Sequence, residues 1–486
     1  MLDDDEVLSR NRVDREDPDP STRTPAGRRG WLALGFPLLG FGLILLWIGG
    51  WVASFRQNEL IISRLSWVPK IPLIAGDFKV HIDHIARLQA AGIDPYHKFD
   101  DWVCFLHPYP PMIARCFAWV VLFETATASI LWQGALGLIV SVGGLAAFRV
   151  RRELDLDSIP RLLIVAALLF TNPVMFAVER GQSDPMIILP LLAAAWLLGK
   201  NATWTDIAAG GLLGLTAWLK YYPGLTVVAL VALGRKQAVV AFVATAGIIG
   251  IIDFDGVRES IKHAHQLQAM MNAVVHPVND ATHSIFENWG IIGIVRRSPS
   301  LRQVPAAVVA SFLLLPALFL VSRRICLSRR SAALIFPYLL WLASAATFGL
   351  PYSNDYNLSP LPIAALAVWD RRDRWTVHLA ILASILWSQP FRLPVSGEIM
   401  LALKFAALYG VGASLAAKAR RIPDLGRILL AREVVAVRDR GEPRPETGEI
   451  PVRSDRSQGR NANGRRPGAP AVRGPRSVPV DQSMSS

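Results

Sequence analysis

Apolar residues come in long runs separated by short polar turns, and these runs predict the architecture. The first extends from 31 to about 55, long enough to cross a hydrocarbon core of roughly 30 Å. Others follow at about 125–148, 160–178, 185–199, 206–221, 224–234, 237–252, 303–322, 332–350, 358–369, 374–390 and 398–417. Several fall short of the roughly 20 residues of a full span, so tilted, broken or merged helices are expected. The fold this predicts is all-α: a polytopic transmembrane bundle of about 10–13 helices.

Polar segments divide the chain. Residues 1–30 are polar and begin acidic, unlike a secretory signal, so they read as a disordered cytoplasmic tail preceding an uncleaved anchor. Residues 31–421 form the membrane domain, with two long connections at 56–110 and 253–302. From 422 to 486 the sequence is rich in Arg, Pro and Gly and too poor in apolar residues to offset its ordering entropy. A second disordered cytoplasmic tail is expected there, with one short amphipathic stretch at 428–437.

Basic clusters orient the bundle. Arg28 and Arg29, then Arg149, Arg151 and Arg152, Arg235 and Lys236, Arg323, Arg324, Arg329 and Arg330, Arg371, Arg372 and Arg374, and Lys418, Arg420 and Arg421 all fall on one side of the spans. Cytoplasmic loops carry the excess of Lys and Arg, so both termini are expected in the cytoplasm and both long connections outside. Composition agrees with a membrane chain: 486 residues are 52% hydrophobic and only 18% charged, with mean hydropathy +0.34. Soluble proteins run near 25% charged. A soluble enzyme, a disordered protein and a nucleic-acid-binding domain are excluded on this ground. The net charge of +13 attracts anionic lipid headgroups, and three cysteines support no disulfide framework.

Polar and aromatic chemistry concentrates at the outer end. The first long connection reads GDFKVHIDH from Gly76; the shorter outer turns are NPVMFAVERGQSDP at 172–185, LKYYPG at 219–224 and PYSNDYN at 351–357. Transporters keep polar sites near the bilayer midplane, whereas the span interiors here are almost free of ionisable residues. Surface chemistry is favoured over passage, with a transporter or flippase of lipid-linked sugars as the alternative.

Each candidate residue has an ordinary reading beside a functional one. Asp77 and Asp83 are either proton acceptors or solvated loop carboxylates. If 78–90 is helical, Lys79, Asp83 and Ala86 share a face, and Asp83 with His84 forms either a structural pair or part of a metal site. No spacing in the sequence favours a divalent metal. Lys220 is a cation at the outer end of its span: a phosphate contact or a snorkelling lysine. Ser183 or Asp184 caps the helix that Pro185 opens, or Asp184 meets substrate. Gln182 has no such capping role and suits a substrate hydrogen bond. Tyr109 is an interface-belt aromatic or a sugar-stacking ring, and Tyr221 lies beside Lys220.

These pieces resemble the glycosyltransferase-C superfamily, and within it glycosyltransferase family 87, whose members include bacterial alpha-1,2-mannosyltransferases acting on phosphatidylinositol mannosides. The matching elements occur in the family's order over roughly residues 31–370. They are Asp77 early in the first outer loop, Gly92-x-Asp94-Pro95-Tyr96, Tyr109-Pro110-Pro111, Asn172-Pro173 with Gly181-Gln182, and Ala209-Gly210 with Lys220-x-x-Pro223. At Phe286-Glu287-Asn288-Trp289 the sequence departs from the Asn-rich element of the family. The resemblance implies a helical first outer loop and an inverting hexosyltransferase, mannose first, of a bacterial-type plasma membrane. The co-substrate would be a polyprenyl-phosphate sugar and the acceptor a lipid or glycan. Asp77 would be the base, with Asp83 second. His84, Tyr109, Gln182, Asp184, Lys220 and Tyr221 would line the substrate site. A pentose such as arabinofuranose is the alternative sugar.

Overall fold

The computed structural model describes residues 26–57, 75–93, 109, 111–156, 159–262, 306–327, 332–349, 355–370 and 397–421. Among these every regular element is helical. In order they are α1 (Ala26–Gln57), then α2, a continuous rod of Gly76–Phe78, a π turn Lys79–Asp83 and His84–Ala90, and α3 (Pro111–Cys116). Next come α4 (Thr125–Glu153), α5 (Arg161–Leu169), α6 (Asn172–Arg180), α7 (Ile188–Leu198), α8 (Thr203–Leu219), α9 (Val227–Ala232) and α10 (Lys236–Ile252). They are followed by α11 (Phe254–Lys262), α12 (Ala306–Leu327), α13 (Ala332–Phe348), α14 (Pro360–Val368) and α15 (Gly397–Arg421). The apolar run at 374–390, residues 94–96, the element at 286–289, most of the second long connection and the tail from 422 lie outside the described residues.

Hydropathic runs and helices coincide, but the runs are not all single spans. Among the described residues, two helices, within α1 and at α4, are long and apolar enough to cross a membrane alone. The count rises to four if α5 with α6, bent by 65°, and α10 with α11, bent by 88°, are each one broken span. Broken spans of this kind are what the runs shorter than a full crossing led one to expect. The run 160–178 breaks at Thr171, whose hydroxyl donates back to the Leu168 carbonyl at 2.8 Å. Pro173 then opens α6, where a missing N–H costs nothing.

Packing follows membrane rules. Gly210 and Gly214 on α8 let the α10 backbone approach: a Cβ at Gly210 would lie 2.0 Å from the Ala238 carbonyl oxygen, and one at Gly214 2.7 Å from that of Phe242. α13 is buried along its length, and Trp341 at its centre donates its indole N–H to the Leu408 carbonyl of α15 at 2.7 Å. Large apolar side chains instead face outward on the periphery, among them Leu46, Ile251 and Phe312. A bundle whose outer surface is this apolar suits a lipid surround.

α4 gives the bundle its two ends: it is 29 residues long, which sets its first and last residues about 42 Å apart at a rise of 1.5 Å per residue. At its first end Thr125 donates to Asp83 of α2 at 2.7 Å. At its other end buried Arg151 donates to the carbonyls of Leu366, at 2.8 Å, and Trp369. Beside Trp369, buried Lys418 pairs with Asp370 at 2.8 Å. Arg149, Glu153, Lys200 and Ala332 line one groove at this end, and Arg235 donates to the neighbouring Leu198 carbonyl at 3.1 Å.

Candidate active site

The first polar connection is seated on the end of α6. Ala75 donates its backbone N–H to the Glu179 carbonyl at 2.7 Å. α6 ends at Gly181, where φ is +69° and the Gln182 N–H reaches back to the Ala177 carbonyl at 2.8 Å. Only glycine fits twice over: it adopts the left-handed conformation freely, and a Cβ there would sit 2.6 Å from that of Phe78. α4 fixes the turn from the other side. Trp132 donates to the Gly181 carbonyl at 2.9 Å and Gln133 to that of Glu179 at 2.8 Å. Phe78 stacks on Trp132 at 6.2 Å, and Phe117 meets Trp132 edge-on at 4.6 Å. This seat turns the side chain before Phe78, Asp77, toward α6.

Asp77 is buried and held by three donors. Arg180 grips it with both arms, Nε to Oδ2 at 3.0 Å and Nη2 to Oδ1, and Gln182 donates Nε2 to Oδ2. Gln182 in turn accepts the Tyr109 hydroxyl at 2.8 Å. Burial alone would push the Asp77 carboxyl up. The Arg180 charge and hydrogen bond, with His81 and Gln182, outweigh it and hold Asp77 below the ordinary carboxylate value. One turn on, His81 packs its ring edge against Tyr109 at 6.0 Å. Burial pushes its imidazole down to about 4; the Asp77 charge opposes this, and the Arg180 and Lys220 charges add to it.

A second carboxylate centres the adjoining half. Asp184 is fully buried and accepts from Lys220 Nζ at 3.2 Å, the Tyr222 hydroxyl at 2.9 Å and Asn357 Nδ2 at 2.7 Å. Lys220 joins the halves, its ammonium lying 4.1 Å from the centre of the Tyr109 ring. Two carboxylates and two cations thus balance in one buried network drawn from α2, the segment before α3, the α6–α7 turn, the α8–α9 turn and residue 357. Buried polar atoms normally find partners. Here His81 Nδ1, Ser183 Oγ and Ser359 Oγ have none among the described residues, which leaves hydrogen-bonding capacity open around the network.

The structure gathers Asp77, Tyr109, Gln182, Asp184 and Lys220, all singled out in the sequence. It also shows the contacts that each of them makes. Lys220 does not snorkel but turns inward. Asp184 and Ser183 form no side-chain cap; Asp184 anchors Lys220 instead. Both ends of the Gln182 amide are engaged within the protein. Tyr221 points elsewhere, its hydroxyl bonding Ser260 of α11, and Tyr222 holds the place in the network. Asp83 pairs with Arg87 at 2.9 Å and accepts from Thr125, while Arg87 also donates to the Phe123 carbonyl at 2.7 Å. That carboxylate staples α2 to the start of α4. His84 follows it, half-buried. Among the described residues no group of three or more His, Cys, Asp and Glu is arranged to hold a metal ion.

Arg180, His81, Tyr222 and Asn357 were not singled out. Arg180 carried a signal, a charge closing an apolar run directly before Gly181-Gln182. His81 shared the segment of Asp77 but had no motif to mark it.

Residues 105–260 match the model of glycosyltransferase family 87. The matched segment contains Tyr109, Arg180, Gln182, Asp184, Lys220 and Tyr222. No curated protein and no solved structure matches the chain.

Proposed function

We propose, from the match of residues 105–260 to the model of glycosyltransferase family 87, that the chain is a membrane glycosyltransferase and transfers a hexose from a polyprenyl-phosphate donor to a lipid or glycan acceptor. Mannose is the first candidate sugar. The bundle is of the glycosyltransferase-C type, with both termini in the cytoplasm of a bacterial-type plasma membrane and the site on the outer face. The observation that carries this reading is the buried Asp77–Arg180 and Asp184–Lys220 network, set at the end of the bundle opposite Arg151, Arg235 and Lys418.

An acceptor hydroxyl must be activated, aligned with the anomeric carbon, and the departing phosphate stabilised. A carboxylate offers roughly four acceptor positions. At Asp77 the Oδ2 side holds Arg180 and Gln182 and the Oδ1 side Arg180 alone, which leaves one position on Oδ1 for the acceptor hydroxyl. General-base help of this kind contributes about 100- to 10,000-fold. Arg180 and Lys220 supply fixed positive charge for the phosphate, as an electrostatic site for developing charge requires. Attack from Asp77's side with departure on the other gives a single displacement with inversion.

The test uses purified protein in lipid, radiolabelled polyprenyl-phosphate mannose and a membrane-lipid extract. Wild-type transfer that collapses by about 100-fold or more in Asp77→Asn, with donor binding retained, is the expected result. Transfer that survives in the variant would remove Asp77 as base. Transfer only from an arabinose donor would make the enzyme a pentosyltransferase. No transfer from mannose, glucose or arabinose donors would favour a transporter of lipid-linked sugars.

A further inference from the structure

Asp77 is an incomplete answer to where the proton ends. Arg180 and Gln182 hold it in its ionised form, so a proton left on Asp77 would weaken three hydrogen bonds at once. The charge of the reaction sharpens the problem. A phosphodiester donor arrives with one negative charge and leaves as a monoester with up to two, in a site whose own charges already cancel. A neutral base beside Asp77 that becomes cationic would meet both needs.

His81 is placed for this. It lies one turn after Asp77 on the π turn of α2, a helical irregularity frequent at functional sites. Its ring abuts Tyr109, on which Lys220 rests. Nδ1 is buried and without a hydrogen-bond partner among the described residues. Charged groups around it are Asp77 before it on α2, Arg180 at the end of α6 and Lys220 after α8. On the elements packed against the π turn, Arg87 is occupied by Asp83 and Arg115 of α3 by Asp253, and His84 begins the next turn of α2.

We propose that His81 takes up and holds the proton released by the acceptor hydroxyl, with Asp77 orienting that hydroxyl. This rests on the glycosyl-transfer reading above. The acceptor O–H bond breaks as its oxygen bonds the anomeric carbon. The bond from that carbon to the phosphate oxygen breaks with its electron pair going to the phosphate. The proton is first accepted at Asp77 Oδ1 and moves on to His81 once the glycosylated oxygen has left that position. Imidazolium and monoester dianion then offset each other, and the proton leaves with the products.

The experiment measures transfer in lipid from pH 4 to 9 for wild type, His81→Gln and His81→Ala, with separate kcat and donor KM. Free-enzyme His81 stays neutral down to about pH 4, so wild-type kcat/KM should fall only as pH drops through about that value. Bound phosphate raises the imidazole, so the acid limb of kcat should lie at higher pH. His81→Gln is expected to lose about 100-fold or more in kcat, with donor KM within about threefold, and to lose that displaced limb. Added imidazole should restore part of the activity of His81→Ala, a rescue that a structural role would not give. A His81→Gln enzyme within about threefold of wild-type kcat and with an unchanged profile would overturn the assignment alone. Absence of wild-type transfer from every sugar donor would overturn the function and this assignment together.

Discussion

Lys220 shows how a single side chain couples fold to chemistry. Its partner Asp184 is fully buried, and removing one member of a buried ion pair costs about 3–5 kcal/mol because the other charge is stranded. Tyr222 and Asn357 also donate to Asp184, which places the cost of Lys220→Met at the lower end of that range. Restoring neutrality in Lys220→Met with Asp184→Asn should recover most of the thermal midpoint. Transfer should not recover if Lys220 meets the donor phosphate, because an amide and a thioether supply no charge. Thermal unfolding and transfer measured on both variants separate the two roles; recovery of both would make Lys220 structural. At this scale the sequence was partly legible. A lysine in an apolar run and carboxylates in outer turns stood out by type. Their partners did not: Arg180 meets Asp77 across 103 positions and Asn357 meets Asp184 across 173, and no local pattern encodes such a pairing. Tyr221 and Tyr222 are indistinguishable in sequence, and only the short 3-10 turn at Tyr222–Thr226 decides which one faces Asp184.

Among the elements, α6 matters most and was the least legible. Hydropathy averages over a window and read 160–178 as one run, whereas Thr171 and Pro173 bend the chain by 65°. The bend makes α6 a short, wholly buried helix whose last residue, Arg180, is delivered to Asp77. Helices such as α4 and α8 were legible because their apolar runs contain no proline to break them. Gly181 is the joint on which the site depends. Gly181→Ala puts a side chain at φ +69° and a Cβ 2.6 Å from that of Phe78. The left-handed conformation alone costs about 1–2 kcal/mol, and the contact must displace α2 and with it Asp77. The expected result is a modest loss of thermal stability with a much larger loss of transfer. A variant that keeps wild-type activity would show that α2 and α6 need not touch so closely.

Polarity organises the whole molecule. Asp77, Asp184 and their cations occupy the end where α4 begins, while Arg149, Arg151 and Glu153 mark the other, about 42 Å away by helix rise. If cationic ends stay in the cytoplasm, the carboxylate network faces outward, and two native cysteines can report it. Cys116 is exposed on α3, an element packed against α2, and Cys326 is partly exposed in the last turn of α12 beside the Arg323–Arg324 pair. In a Cys104→Ser background, a membrane-impermeant maleimide added to sealed right-side-out vesicles should label Cys116 and spare Cys326. Permeabilisation should then expose Cys326. The protein around the exposed Cys116 partly desolvates its thiol and pushes it up, so less of it is thiolate at neutral pH and its labelling should accelerate as pH is raised. Labelling of Cys326 before permeabilisation, with Cys116 protected, would invert the protein in the membrane. The donor phosphate would then have to be met on the cytoplasmic leaflet, where the sugar on its carrier faces a different pool of acceptors.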